Sequence, residues 1–104
     1  MKLLILMHLE DDKDGVDRLL AEHEVVAYSE LPVEGHGEGT VGWYGKVAPY
    51  ESRMRLAFLA ADKAVELVEA VEGCTDCKDA RHPIRAWVVD VERSVVSGAS
   101  APGH

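Results

Sequence analysis

Apolar positions along this chain fall into blocks whose spacing alternates between the periods of strand and helix. Lys2 to His8 (KLLILMH) is a short apolar run bounded by charge, which predicts a buried strand. Asp11 to His23 carries Val16, Leu19, Leu20 and His23 at helical spacing, with acidic residues crowding the first turn, where the helix dipole favours them. Glu24 to Val33 (EVVAYSELPV) is rich in β-formers, with Pro32 near its end, and reads as a second strand. Ser52 to Ala61 alternates, with Met54, Leu56, Phe58 and Ala60 sharing one face. Asp62 then offers an N-cap to a helix whose stripe is Ala64, Val65, Leu67, Val68 and Val71, with Gly73 as its stop. Pro83 to Glu92 (PIRAWVVDVE) reads as a last strand.

The order β-α-β-β-α-β predicts an α+β fold, the ferredoxin-like sandwich of a four-stranded antiparallel sheet with both helices on one face. The domain spans residues 1–95, and the small, polar tail 96–104 is expected to be disordered. The other sheet face would not be polar. The first strand has Leu3, Ile5 and Met7 on one side and Leu4 and Leu6 on the other; the last has Ile84, Ala86 and Val88 against Trp87, Val89 and Val91. A solvated face alternates with polar residues, so a second apolar face predicts an oligomer.

Between the second and third strands lies a long loop, residues 35–51. Five of the nine glycines fall within Gly35 to Gly45, and three of the six aromatics (Trp43, Tyr44, Tyr50) lie in the same stretch. Hairpin loops usually have about two to five residues, and much longer ones tend to carry function. Exposed aromatics need a partner surface or a ligand to cover them. Gly37, Gly39 and Gly42 satisfy G-x-G-x-x-G, but a strand rather than a helix follows, which excludes a dinucleotide fingerprint. Gly45-Lys46 lacks the hydroxyl residue of a phosphate-binding loop.

The join Val33 to Gly37 (VEGHG) resembles the one that opens the T-loop of PII signalling proteins, and Ser52 to Val71 (SRMRLAFLAADKAVELVEAV) is similar to that superfamily's third strand and second helix. The resemblance implies a homotrimer that takes an adenine nucleotide in clefts between subunits and presents the loop to a protein target, a membrane transporter among the candidates. It places Gly35, His36, Gly37 and Arg93 at the ligand and Trp43, Tyr44 and Tyr50 at the partner. The chain departs from the family where CTDCKDARHP (74–83) replaces a glycine-rich turn and a lone Arg93 replaces paired arginines.

Other chemistry is sparse. Cys74 and Cys77 form a CxxC that could grip a soft metal or close a disulfide; His36 and His82 are the candidate helpers. A metal-binding or metal-tolerance protein is therefore the alternative function. Arg53, Arg55, Lys78, Arg81, Arg85 and Arg93 could gather into an anion pocket or pair with surface carboxylates. His8 and His23 read as structural. No nucleophile–base pattern is present, so an enzyme is not expected. The net charge of -8, from 19 acidic and 11 basic residues, argues against nucleic acid. The lack of a signal sequence or apolar span predicts a cytoplasmic protein that does not insert into membranes.

Overall fold

The computed structural model describes residues 1–36, 50–74 and 84–98. Strand β1 spans Lys2–Leu9, and a single 3-10 turn at Glu10–Asp12 leads into helix α1, Lys13–Glu22. Strands β2 (Ser29–Gly35) and β3 (Tyr50–Leu59) follow, then helix α2 (Ala61–Gly73) and strand β4 (Arg85–Asp90). All three strand pairings are antiparallel, in the order β2-β3-β1-β4. The ferredoxin-like arrangement expected from the sequence is the one observed.

Both helices pack on one side of the sheet. Val16 and Leu20 of α1 and Leu67 of α2 meet Leu4, Leu6, Val25 and Ala57 in the core, with Val68, Val71, Ile84 and Ala86 at its margin. Val65 departs from the expected stripe: it is exposed.

The second strand begins later than the sequence suggests. Glu24 adopts a left-handed backbone, φ 61°, and two hydrogen bonds close a Schellman turn around it. The Val25 amide donates to the Leu20 carbonyl at 2.8 Å, and the Glu24 amide donates to that of Ala21 at 3.1 Å. Val25 and Leu20 are both buried, which is the apolar contact this turn favours. The turn consumes residues that β-propensity alone assigns to a strand. Pro32 is tolerated because β2 is an edge strand.

α2 also starts differently, at Ala61 with Ala60 as the cap residue; Asp62 lies inside the first turn and acts on the dipole rather than as a cap. β4 is shorter than expected at both ends. Of the tail 96–104, residues 97 and 98 form a turn and 99–104 lie outside the described residues.

The register fixes which residues share the face turned away from the helices. Leu3 stands opposite Phe58 and Val89, Ile5 opposite Leu56 and Trp87, and Met7 opposite Met54 and Arg85. Leu31 of β2 stands opposite Met54. Cross-strand neighbours point to one side, so Leu3, Ile5, Met7, Leu31, Met54, Leu56, Phe58, Trp87 and Val89 form one continuous apolar surface. In the single chain Phe58 is 61% exposed and Val89 46%. β3 turns Met54, Leu56 and Phe58 outward, while its covered face carries Arg53 and Arg55 beside Ala57 and Leu59.

Candidate functional site

The sheet brings the ends of the long loop together. Gly35, the last residue of β2, pairs with Tyr50, the first of β3, beyond the Leu9–Ser52 pair that closes β1. The 3-10 turn after Leu9 lies at this same end, and β4 re-enters the sheet nearby, at Arg85 opposite Met7. Connections that are distant in sequence thus converge on one end of the sheet. His36 stands exposed at the loop mouth, its Nε2 2.8 Å from a carboxylate oxygen of Glu34. Gly37, Trp43 and Tyr44 lie outside the described residues, as do Cys77 and His82.

Arg93 is elsewhere. β4 ends with Asp90 opposite Lys2, so Arg93 follows at the far end of the sheet from Gly35 and His36. The length of β1 separates them, about 23 Å at roughly 3.3 Å per residue. One chain cannot bring Arg93 and the Gly35–His36 join onto a single small ligand.

Two of the candidate anion-pocket residues are already committed to carboxylates, which corrects the pocket reading for them. Arg53 hydrogen-bonds Glu10 through Nε and lies 3.4 Å from Glu30 through Nη1. Arg55 is buried, 1% exposed. Its Nε donates to His8 Nε2 at 3.1 Å and lies 3.1 Å from Glu30, while its Nη1 donates to Asp17 at 2.8 Å. Its guanidinium also sits over the Tyr28 ring, 5.5 Å from the centroid. Nη2 has no hydrogen-bond partner among the described residues. Lys78 and Arg81 lie outside the described residues.

These bonds fix the state of His8. Because Arg55 can only donate, His8 Nε2 must accept; its Nδ1, 2.7 Å from the Leu9 carbonyl, must then carry the proton. The imidazole is neutral. Burial holds its pKa below the ordinary histidine value, Arg55 adds to that effect, and the Leu9 carbonyl, Asp12 and Glu10 oppose it without prevailing. The hydrogen bond from Lys13, reinforced by Arg55, depresses the Asp17 carboxyl. Arg53 does the same to Glu10. The sequence offered little sign of this network, because alternation marks Arg53 and Arg55 as facing one way but not which way.

A groove of about 510 Å³ between the helices is lined by Leu19, His23, Glu66, Glu69 and Cys74 among others. His23 Nδ1 lies 2.8 Å from Glu66, whose carboxyl is held low first by this contact and then by Lys63. Lys63 Nζ also donates to the His23 carbonyl, covering the end of α1. Cys74, at the end of α2, is disulfide-bonded. A thiolate metal site would require that bond to be reduced. Among the described residues no cluster of three or more His, Cys, Asp or Glu could hold a metal ion.

Comparison with known proteins gives the fold a context. No family model matches the chain, and no curated protein does. Solved structures do match. One is CPII, a nitrogen regulatory PII-like protein from Thiomonas intermedia K12, bound to ADP, AMP and bicarbonate. It superposes with a TM-score of 0.60 at 15% identity, over 90% of this chain and 94% of that one. This chain has the PII-like fold. A PII-like protein from Thermus thermophilus also aligns with a TM-score of 0.60, at 14% identity, over 84% of this chain and 82% of that one. Residues 36–49 make the connection between the second and third strands; Gly35, Tyr50 and Glu51, expected in the loop, belong instead to the paired ends of β2 and β3. No helix among the described residues is long and apolar enough to cross a membrane.

Proposed function

We propose that the chain is a PII-like regulatory protein. It assembles through its open sheet face, binds a small ligand of the adenine-nucleotide class in the clefts between subunits, and signals to a protein target through the connection 36–49. The observation that carries this reading is the continuous apolar face built by β1, β3 and β4, together with a fold shared with PII-like proteins. Burying such a face needs other copies of the chain. Assembly also answers the separation of Arg93 from Gly35 and His36, because a neighbouring subunit can place its own Arg93 against the loop mouth. The nucleotide class is supported by the ligands of the Thiomonas protein. A ligand shifts the loop only by binding its two states differently.

Two measurements test the proposal. Native mass spectrometry reads the subunit number, with three subunits expected. Trp43 fluorescence in a Trp87→Phe variant, titrated with ADP, AMP and ATP with and without bicarbonate, reads the loop. A saturable change is expected; no response to any of them would remove the nucleotide. The metal-binding alternative gains no observation among the described residues. Native mass spectrometry with copper and zinc under reducing conditions, on parent and Cys74→Ser, examines it independently.

A further inference from the structure

The ion-pair network around Arg55 ties four elements together at the base of the loop. Arg55 on β3 reaches His8 on β1, Asp17 on α1 and Glu30 on β2. The other charged groups facing it are Arg53 on β3, Glu10 and Asp12 in the 3-10 turn, and Lys13 on α1, whose Nζ bonds Asp17 at 2.8 Å. Tyr28, just before β2, stacks beneath the guanidinium. Glu30 stands opposite Arg55 in the sheet, five residues before β2 ends at the loop join.

We propose that His8 is a pH-sensitive latch: its protonation breaks the bond to Arg55 and loosens β2, the edge strand that leads into the loop. The neutral ring accepts from Arg55; a protonated ring would aim a second N–H at the same atom, 3.1 Å away. One of the two side chains must then move. His8 is fully buried on a central strand and held by the Leu9 carbonyl. Arg55 is long and jointed, and one of its anchors, Glu30, sits on an edge strand paired on one side only and mostly exposed. The displacement falls on the weaker anchor. The lowered pKa of His8 means that the latch opens on acidification below the ordinary histidine range. As a control on the loop this inference rests on the function proposed above, but the latch itself is a property of β2 and can be tested without ligand or partner.

The test is amide hydrogen exchange by NMR on the ligand-free assembled protein, with protection corrected for the intrinsic rate, between about pH 7.5 and about pH 5, a range where ordinary carboxylates stay ionised. Protection at Ser29 to Gly35 is expected to fall by roughly tenfold, the change that about 1.4 kcal/mol makes. It should do so in step with titration of the His8 ring, while the amides of β1 and α2 hold. In His8→Gln, whose amide can accept from Arg55 and donate to Leu9 at every pH, β2 protection should stay flat. This variant keeps His23 and His36, so a fall of the same size in it would overturn the proposal. So would constant protection of β2 in the parent across the titration of the His8 ring, or an equal loss over all strands. If His8→Gln does not fold, the coincidence of ring titration and β2 opening in the parent decides alone, and two separate midpoints would overturn the latch. None of these outcomes depends on nucleotide binding, so failure here and failure of the proposed function are separable.

Discussion

Replacing Arg55 with methionine keeps much of the side chain's volume and removes its charge. Four consequences can be weighed from the geometry. His8 Nε2, fully buried, loses its donor, and an unsatisfied buried acceptor costs about 1–3 kcal/mol. Asp17 loses one partner but keeps Lys13, and its side chain is 34% exposed, so solvent screening limits that loss to about 0.5–1 kcal/mol. Glu30 keeps Arg53. In the other direction, removing a buried guanidinium whose Nη2 has no partner among the described residues relieves some desolvation. The net expectation is destabilisation of about 2–3 kcal/mol. Urea unfolding at fixed protein concentration, followed by far-UV circular dichroism, measures it, since an assembled protein's stability depends on concentration. The decisive arm is the pair Arg55→Met with His8→Leu, which removes donor and acceptor together and should recover at least about half of the loss. Arg55→Met within about 0.5 kcal/mol of the parent, or a double variant as unstable as the sum of the singles, would refute the claim that the His8–Arg55 bond is what matters.

Three further outcomes follow from the same structure. Stability should fall on acidification: a histidine whose folded pKa lies below its unfolded value stabilises fully above the unfolded value and loses that contribution as pH drops through the folded one. The depressed carboxyls of Asp17 and Glu10 act in the same direction at still lower pH; a urea midpoint that rises from about pH 7.5 to about pH 5 would contradict the histidine contribution, and one that rises on further acidification below about pH 5 would contradict that of the carboxyls. Glu24→Gly should stabilise by about 0.5–1 kcal/mol, because glycine adopts the left-handed backbone at the Schellman turn without the steric cost that a side chain carries there; a lower urea midpoint would show the turn to be misplaced. Phe58→Asp should shift the protein toward monomer, read by sedimentation velocity, while far-UV circular dichroism stays close to the parent's; unchanged mass would show that this face is not the interface.

The alternation of β1 and β4 makes the two-faced sheet legible in the sequence, because a period of two leaves no freedom about which residues share a side. The helices were readable for a similar reason, through Val16, Leu19 and Leu20 in one and Ala64 and Leu67 in the other. What the pattern could not carry was direction. Met54, Leu56 and Phe58 share a face whichever way β3 turns, and only pairing with β1 shows that this face is the open one. The same ambiguity concealed Arg55, which reads as a surface cation in sequence and is buried in the fold. Local chemistry hid the start of β2, since Glu24 gives no sign of a left-handed turn where glycine would announce it. Of the candidate site, Gly35 and His36 lie at the join as expected, whereas the distance to Arg93 depended on strand register and could not be read from spacing.

A shared ligand cleft exists only if the apolar sheet face is covered by further copies of the chain. Sedimentation equilibrium of the purified protein at micromolar concentration measures this directly. The predicted species contains three chains of 11.4 kDa each; a single stable 11.4 kDa species would leave the face exposed to water and contradict the shared-cleft site built upon it.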